Sequence, residues 1–147
     1  MSWVEVSWTW DDFHYGSFID VNSQSTTVND YSGKELPGVP PQVLVAGLDL
    51  LTRPGFYVNL SYTYSDRTPL NDANTAYSGS YNLMGGRIGF RKQTPRGLHF
   101  DFFVGGDNLF NVTYSLGNDF NAANGRYYNA APTVNYFAGI SFGNLFH

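Results

Sequence analysis

The ten residues Phe56–Ser65, FYVNLSYTYS, constrain the fold more than any other stretch. Phe56, Val58, Leu60, Tyr62 and Tyr64 fall at every second position, and Tyr57, Asn59, Ser61, Thr63 and Ser65 lie between them. A period of two specifies a β-strand with one apolar and one polar face. Ten residues is also the length with which a tilted strand crosses a bilayer.

The same pattern recurs along the chain. Val4, Val6, Trp8 and Trp10 alternate with Glu5, Ser7 and Thr9. It resumes as Phe13, Tyr15, Ser17 and Ile19 with the apolar parity shifted, which predicts a strand to about Val21 with a bulge near Asp11-Asp12. A second strand spans residues 42–51, with Leu44, Ala46, Leu48 and Leu50 on one face. A fourth spans 80–92, with Met84, Ile88 and Phe90 opposite Arg87. In the fifth, from Leu98, Phe100, Phe102 and Val104 oppose His99, Asp101, Phe103 and Asp107. The last places Val134, Tyr136, Ala138, Ile140 and Phe142 opposite Asn135, Phe137, Gly139 and Ser141.

The six strands are joined alternately by long and short connections. Residues 22–41, 66–79 and about 112–133 are polar loops, whereas 52–55 and 93–97 are tight turns carrying Pro and Gly. The expected fold is all-β, an antiparallel up-and-down meander. Outer-membrane barrels pair short periplasmic turns with long extracellular loops. That rule puts both tight turns at the periplasm, beside Arg53, Arg91, Lys92 and Arg96.

Composition agrees. Aromatic residues make up 18% and charged residues 14%, against about 25% charged in a typical soluble domain. The net charge of −4 and the scattered Lys and Arg argue against nucleic acid. There is no cysteine for a disulfide framework or a thiolate metal site. No run approaches the ~18 apolar residues of a membrane helix. MSWVEVSWTW is no signal peptide, so Met1 is expected to be an artificial or accidental start.

Several segments, in this order, match one family. They are Leu36-Pro37-Gly38-Val39-Pro40, then Asp107-Asn108-Leu109-Phe110-Asn111 with Tyr114, then Gly125-Arg126-Tyr127-Tyr128 with Ala131-Pro132, and finally the stretch from Asn135 to Phe142. From about Val4 to Phe146 the chain resembles the C-terminal end of TonB-dependent outer-membrane receptors. The last strand is similar to the terminal assembly signal of outer-membrane proteins, although the chain ends Phe146-His147 where a terminal Phe or Trp is usual.

The resemblance implies the last part of a 22-stranded transmembrane β-barrel, with residues 1–147 its C-terminal portion and the plug domain absent. It implies the outer membrane of a Gram-negative bacterium and TonB-dependent uptake of a scarce ligand, a ferric siderophore before a vitamin or glycan. The implied partners are membrane lipid, the remaining barrel and plug, the TonB complex through that plug, and the small-molecule ligand. No cofactor is expected. Six strands fall short of the roughly eight that close a barrel, so the chain is expected to be a fragment or a subunit completing a barrel.

Asp119, Arg126, Tyr127 and Tyr128 in the last outer loop are candidate ligand contacts. Arg would pair with carboxylate or phosphate, and the tyrosines would stack or donate. The competing reading is an interfacial loop packed on its neighbours. Arg87, His99, Asp101 and Asp107 are placed in the lumen, facing a plug, with Arg87 expected to pair with one of the carboxylates. A metal site there is disfavoured, because residues i and i+2 lie roughly 7 Å apart along a strand.

An enzyme is not expected. His14 and His147 are isolated and there is no G-x-S-x-G turn. Gly85-Gly86-Arg87-Ile88-Gly89 lies inside a strand and is no phosphate loop; its glycines are expected to make room for a plug or for curvature. Asn59-Leu60-Ser61 and Asn111-Val112-Thr113 match a glycosylation pattern by chance. The alternative to a transporter is a soluble or membrane β-barrel binding module. A soluble module would bury Phe56, Val58, Leu60, Tyr62 and Tyr64 in a closed core, whereas a membrane wall leaves them as an exposed band.

Overall fold

A computed structural model describes residues 2–22 and 27–144. Met1, Phe146 and His147, with the expectations attached to them, lie outside the described residues. Among the described residues ten strands form, in chain order: β1 (Ser2–Trp10), β2 (Ile19–Asn22), β3 (Thr27–Asp30), β4 (Gln42–Leu51), β5 (Phe56–Ser65), β6 (Thr68–Pro69), β7 (Tyr77–Ser78), β8 (Tyr81–Gln93), β9 (Leu98–Asp107) and β10 (Asn135–Asn144). The six long strands build one antiparallel sheet in the order β1-β4-β5-β8-β9-β10. Each pairs with the next long strand along the chain, so the sheet is the expected all-β meander.

The register sorts the side chains as the alternation predicts. Val4, Leu48, Leu60, Gly86, Gly106 and Tyr136 stand side by side across the sheet on the apolar face. Trp3, Asp49, Asn59, Arg87, Gly105 and Phe137 form the adjoining row on the other face. Among the described residues no second layer covers the apolar face. Phe56 is 59% exposed, and Val58, Leu60, Tyr62 and Tyr64 are part-exposed. Leaving a large apolar side chain in water forgoes about 1.5–3 kcal/mol, so this face needs an apolar medium. The closed core of a soluble module is absent among the described residues.

The two short turns are built alike. Thr52 and Thr94 donate their backbone N–H to the carbonyls of Phe56 and Leu98, and Gly55 and Gly97 donate to the carbonyls of those threonines. Gly55 has φ +116°, and a Cβ there would collide with the Arg91 carbonyl of β8, so only glycine fits.

The polar face has an order of its own. Three of its aromatic residues each lie opposite a glycine: Tyr57 opposite Gly89, Phe103 opposite Gly139, and Phe137 opposite Gly105. Each ring folds over its glycine, with ring carbons 2.5 to 2.7 Å from where a Cβ would stand. The room at Gly89 is therefore used by the sheet's own Tyr57, not left for curvature or a plug. Gly86 belongs to the apolar face, where the Leu60 side chain covers it.

Several expected boundaries shift: the fourth long strand runs Tyr81–Gln93 in place of 80–92, and the segment 66–79 carries the short pair β6 and β7. The first strand does not run to Val21 through a bulge; it stops at Trp10. The last rung is Asp11 N–H to the Pro41 carbonyl, 2.9 Å, because Pro40 and Pro41 bring no donor. The chain continues as an irregular ladder, with Leu36 N–H on the Phe13 carbonyl and Tyr15 N–H on that of Lys34, before β2 and β3 pair. The segment 22–41 is thus partly strand. The outward strand β9 ends at Asp107 and not at Asn111. Asn108 (φ +49°) and Asn111 (φ +52°) turn the chain there, and the Asn108 side chain ties Val112. The return strand starts at Asn135, one residue after Val134.

Candidate binding surface of the outer loops

The long connections are residues 11–41, 66–80 and 108–134, here the first, second and third loops. All five non-glycine residues with positive φ among the described residues are asparagines of these loops: Asn74, Asn108, Asn111, Asn121 and Asn124. Asparagine tolerates the left-handed conformation better than other side chains. That explains the asparagine content of these segments.

The loops pack as one cap around the second loop. Leu70 and Pro69 beside it are fully buried, while among the described residues the sheet proper buries a single apolar side chain, Tyr57. Asn71 shapes the tip: its Oδ1 accepts from the Thr75 N–H at 2.9 Å and its Nδ2 donates to Thr75 Oγ1 at 2.8 Å. Asn74 exchanges two bonds with the Glu35 backbone of the first loop, 2.7 and 2.9 Å. Asp72 exchanges two with Asn121 of the third loop, 3.0 and 2.9 Å. The Asn121 N–H also reaches the Leu70 carbonyl, and the Gly38 N–H reaches that of Pro69.

Two tyrosine–carboxylate contacts close the cap. The Tyr15 hydroxyl donates to Asp72 Oδ1 at 2.6 Å. That bond, with burial and the carboxylate charge, pushes the Tyr15 pKa up to about 12. The Tyr77 hydroxyl donates to Glu35 Oε2 at 3.3 Å, and burial first, then the Glu35 charge, raises its pKa. Arg67 lies over the Tyr77 ring, 4.7 Å from its centre. At the rim, hydrogen bonds from Ser32 hold the Asp30 carboxyl below its usual range.

The expected ligand contacts sit on this cap but do not converge. The Asp119 N–H donates to the Tyr127 carbonyl, and the Asp119 side chain stays exposed. The Tyr127 hydroxyl accepts from Asn71 Nδ2 at 3.5 Å. Tyr128 is 59% exposed, and its hydroxyl donates to the Tyr77 carbonyl at 2.9 Å. Arg126 follows the 3-10 turn Ala123–Gly125 and points to solvent. Packing on neighbouring loops, the competing reading, therefore accounts for much of what the tyrosines do.

On the polar face of the sheet, Arg87, His99, Asp101 and Asp107 share one side, as the parity predicts. The expected carboxylate partner for Arg87 is not what the register supplies. Arg87 Nε donates to Asn59 Oδ1 at 2.9 Å, and the guanidinium lies 5.5 Å from the Phe103 ring centre. Asp101 stands opposite Arg91 and accepts from the Tyr57 hydroxyl at 3.0 Å. His99 faces Gln93 and Asp107 faces Asn135, so the three β9 residues are spread along the strand. Among the described residues no three His, Asp or Glu side chains gather as metal ligands.

Tyr15, Glu35, Asp72, Asn74 and Asn121 hold the cap together, and sequence reasoning missed them. Each lies in a polar, aperiodic stretch. The one available signal was Leu70, an apolar residue between Pro69 and the asparagines of a loop.

A single-layer meander with an uncovered apolar face and a knitted cap at its long-loop end is a section of wall from a large up-and-down barrel. Residues 4–109 match the family described as TonB dependent receptor-like, beta-barrel, and the chain belongs to that family of Gram-negative outer-membrane receptors. Its fold is also that of solved receptors. The siderophore receptor PiuA from Acinetobacter baumannii superposes on 95% of this chain with a TM-score of 0.74 and 19% identity. The ferric yersiniabactin uptake receptor FyuA from Yersinia pestis covers 75% of it with a TM-score of 0.50 and 23% identity. The chain spans 19% and 17% of the lengths of those two proteins.

Proposed function

We propose that this chain is the C-terminal six-stranded part of a 22-stranded outer-membrane barrel that takes up a scarce ligand with energy from TonB, the ligand being a ferric siderophore before a vitamin or glycan. The observation that carries the reading is the pairing of an uncovered apolar face with a hydrogen-bonded cap on the long-loop side only. Lipid covers the apolar face. The cap faces outward and meets the ligand through Tyr127, Tyr128, Arg126 and Asp119. The short turns with Arg53 and Arg96 face the periplasm. The polar face, with Arg87, His99, Asp101 and Asp107, lines the lumen and holds a plug domain, through which TonB acts. Family membership and the likeness to two siderophore receptors support the choice of ligand.

Radio-iron uptake tests it. Cells carrying the full gene should accumulate iron from a ferric siderophore, and deletion of the gene, loss of TonB or collapse of the proton gradient should each abolish the accumulation. Uptake of every siderophore tried that persists without TonB would refute active transport.

A further inference from the structure

The apolar face of the sheet carries one charged side chain among the described residues of its six long strands, Lys92. Lys92 follows Phe90 by two residues, about 7 Å farther along β8 toward the short turns. In the register it stands beside Phe100, and Phe100 beside Phe142. The Phe90 ring meets those of Phe56, Phe102 and Phe100 at 4.9, 5.5 and 6.0 Å between centres, so a phenylalanine platform adjoins the cation. The first short turn abuts the same end of β8. The Arg91 N–H donates to the Gly55 carbonyl at 2.9 Å, which brings the turn holding Arg53 against it. The second turn, holding Arg96, continues directly from β8. Lys92, Arg53 and Arg96 are exposed, and no hydrogen bond or ion pair engages their side chains among the described residues. Neither turn contains Asp or Glu, and the carboxylates of the neighbouring rows, Asp49 and Asp101, lie on the polar face.

We propose that Lys92, with Arg53 and Arg96, binds the headgroup of a phospholipid of net negative charge, whose acyl chains lie along Phe56, Phe90, Phe100 and Phe102. The apolar face needs an apolar medium, and a cation at the edge of that medium needs an anion beside it. A lysine stem can cover apolar surface while its ammonium reaches the polar boundary. An acidic phospholipid supplies both parts at this spacing: hydrocarbon against the rings and a phosphate at the ammonium. Its net charge follows from the strip, which holds three cations and no carboxylate. A zwitterionic lipid would bring a cation of its own into it. The lipid site rests on the membrane placement proposed above, with the short turns at the periplasm, and adds to it a partner in the periplasm-facing leaflet.

The test uses the full-length protein purified from outer membranes, with native mass spectrometry during titration by phosphatidylglycerol or by phosphatidylcholine of the same acyl chains. Phosphatidylglycerol should bind more tightly. Each basic residue near an anionic lipid surface strengthens attraction about fivefold. Lys92→Gln should therefore weaken phosphatidylglycerol binding about fivefold and leave phosphatidylcholine binding and the thermal midpoint in detergent unmoved. Adding Arg53→Gln and Arg96→Gln should weaken it further, Lys92→Arg should restore it, and Lys34→Gln, in the first long loop, should change nothing. Equal binding of the two lipids, or phosphatidylglycerol affinity untouched by the triple glutamine variant, in a protein that needs detergent to stay dispersed, overturns the lipid site and leaves the uptake reading standing. A protein that stays monomeric in buffer without detergent overturns the membrane placement, and the lipid site with it.

Discussion

The Tyr57 ring lies over Gly89 of the neighbouring strand, with its Cζ 2.5 Å from where a glycine-to-alanine methyl would stand. Tyr57 is 3% exposed, the most buried aromatic residue described, although its face of the sheet is open. Gly89→Ala should therefore overpack the wall and destabilise it by about 1–3 kcal/mol. Gly139→Ala, beneath Phe103, should do the same, while Gly143→Ala, with open space around its Cβ position, should be neutral. Urea unfolding of the barrel in lipid vesicles gives the three values.

The two faces of β5 should answer oppositely to charge. Leu60 sits mid-strand on the apolar face and Ser61 beside it on the polar face. Leu60→Arg should cost about 2–4 kcal/mol if that side meets the bilayer midplane. Ser61→Arg should cost well under half as much. Equal costs in the same unfolding assay would contradict the assignment of faces.

Asp72 joins all three loops, through Tyr15 on one side and Asn121 on the other. Asp72→Ala should loosen the cap by about 1–3 kcal/mol, since it strands the partners' donors. The expected sign is faster proteolysis of the outer loops in intact cells with the barrel's own unfolding transition unmoved.

The Tyr15–Asp72 bond carries a pH dependence. The Tyr15 pKa stands at about 12 in the folded protein against an ordinary value of 10.0. A raised folded-state value means that the folded form keeps the proton longer. The contact thus contributes fully below about pH 10 and is lost as pH climbs through about 12. Limited proteolysis across that range should show the loops opening, and Tyr15→Phe should flatten the response between those two values.

How far the sequence could be read depended on periodicity. Residues 56–65 announced a strand, and the strand is there to the residue, because ten alternating positions leave no other structure. Past Trp10 the alternation of Phe13, Tyr15, Ser17 and Ile19 misled, since a strand also needs a partner, and Pro40-Pro41 withdraws it. Parity put Arg87, Asp101 and Asp107 on one face, but pairing depends on register, which parity leaves open. The register set Arg87 across from Asn59, and Asp101 across from Arg91. In the candidate site, Tyr127 and Tyr128 were visible by residue type, whereas Tyr15 and Asp72 were not. A contact between two loop residues 57 positions apart is a property of packing and leaves no mark on the string of residues.

Among the described residues the fully buried side chains, Leu70 and Pro69, lie in a loop, and the broad apolar face of the sheet is bare. The two parts therefore answer to different solvents. On the proposed placement, acyl-chain thickness and headgroup composition govern the wall, while ionic strength, osmolytes and pH on the outer side govern the cap. A cell that remodels its envelope lipids would change how the wall is held without changing how the cap folds, and strong alkali or salt outside would do the reverse.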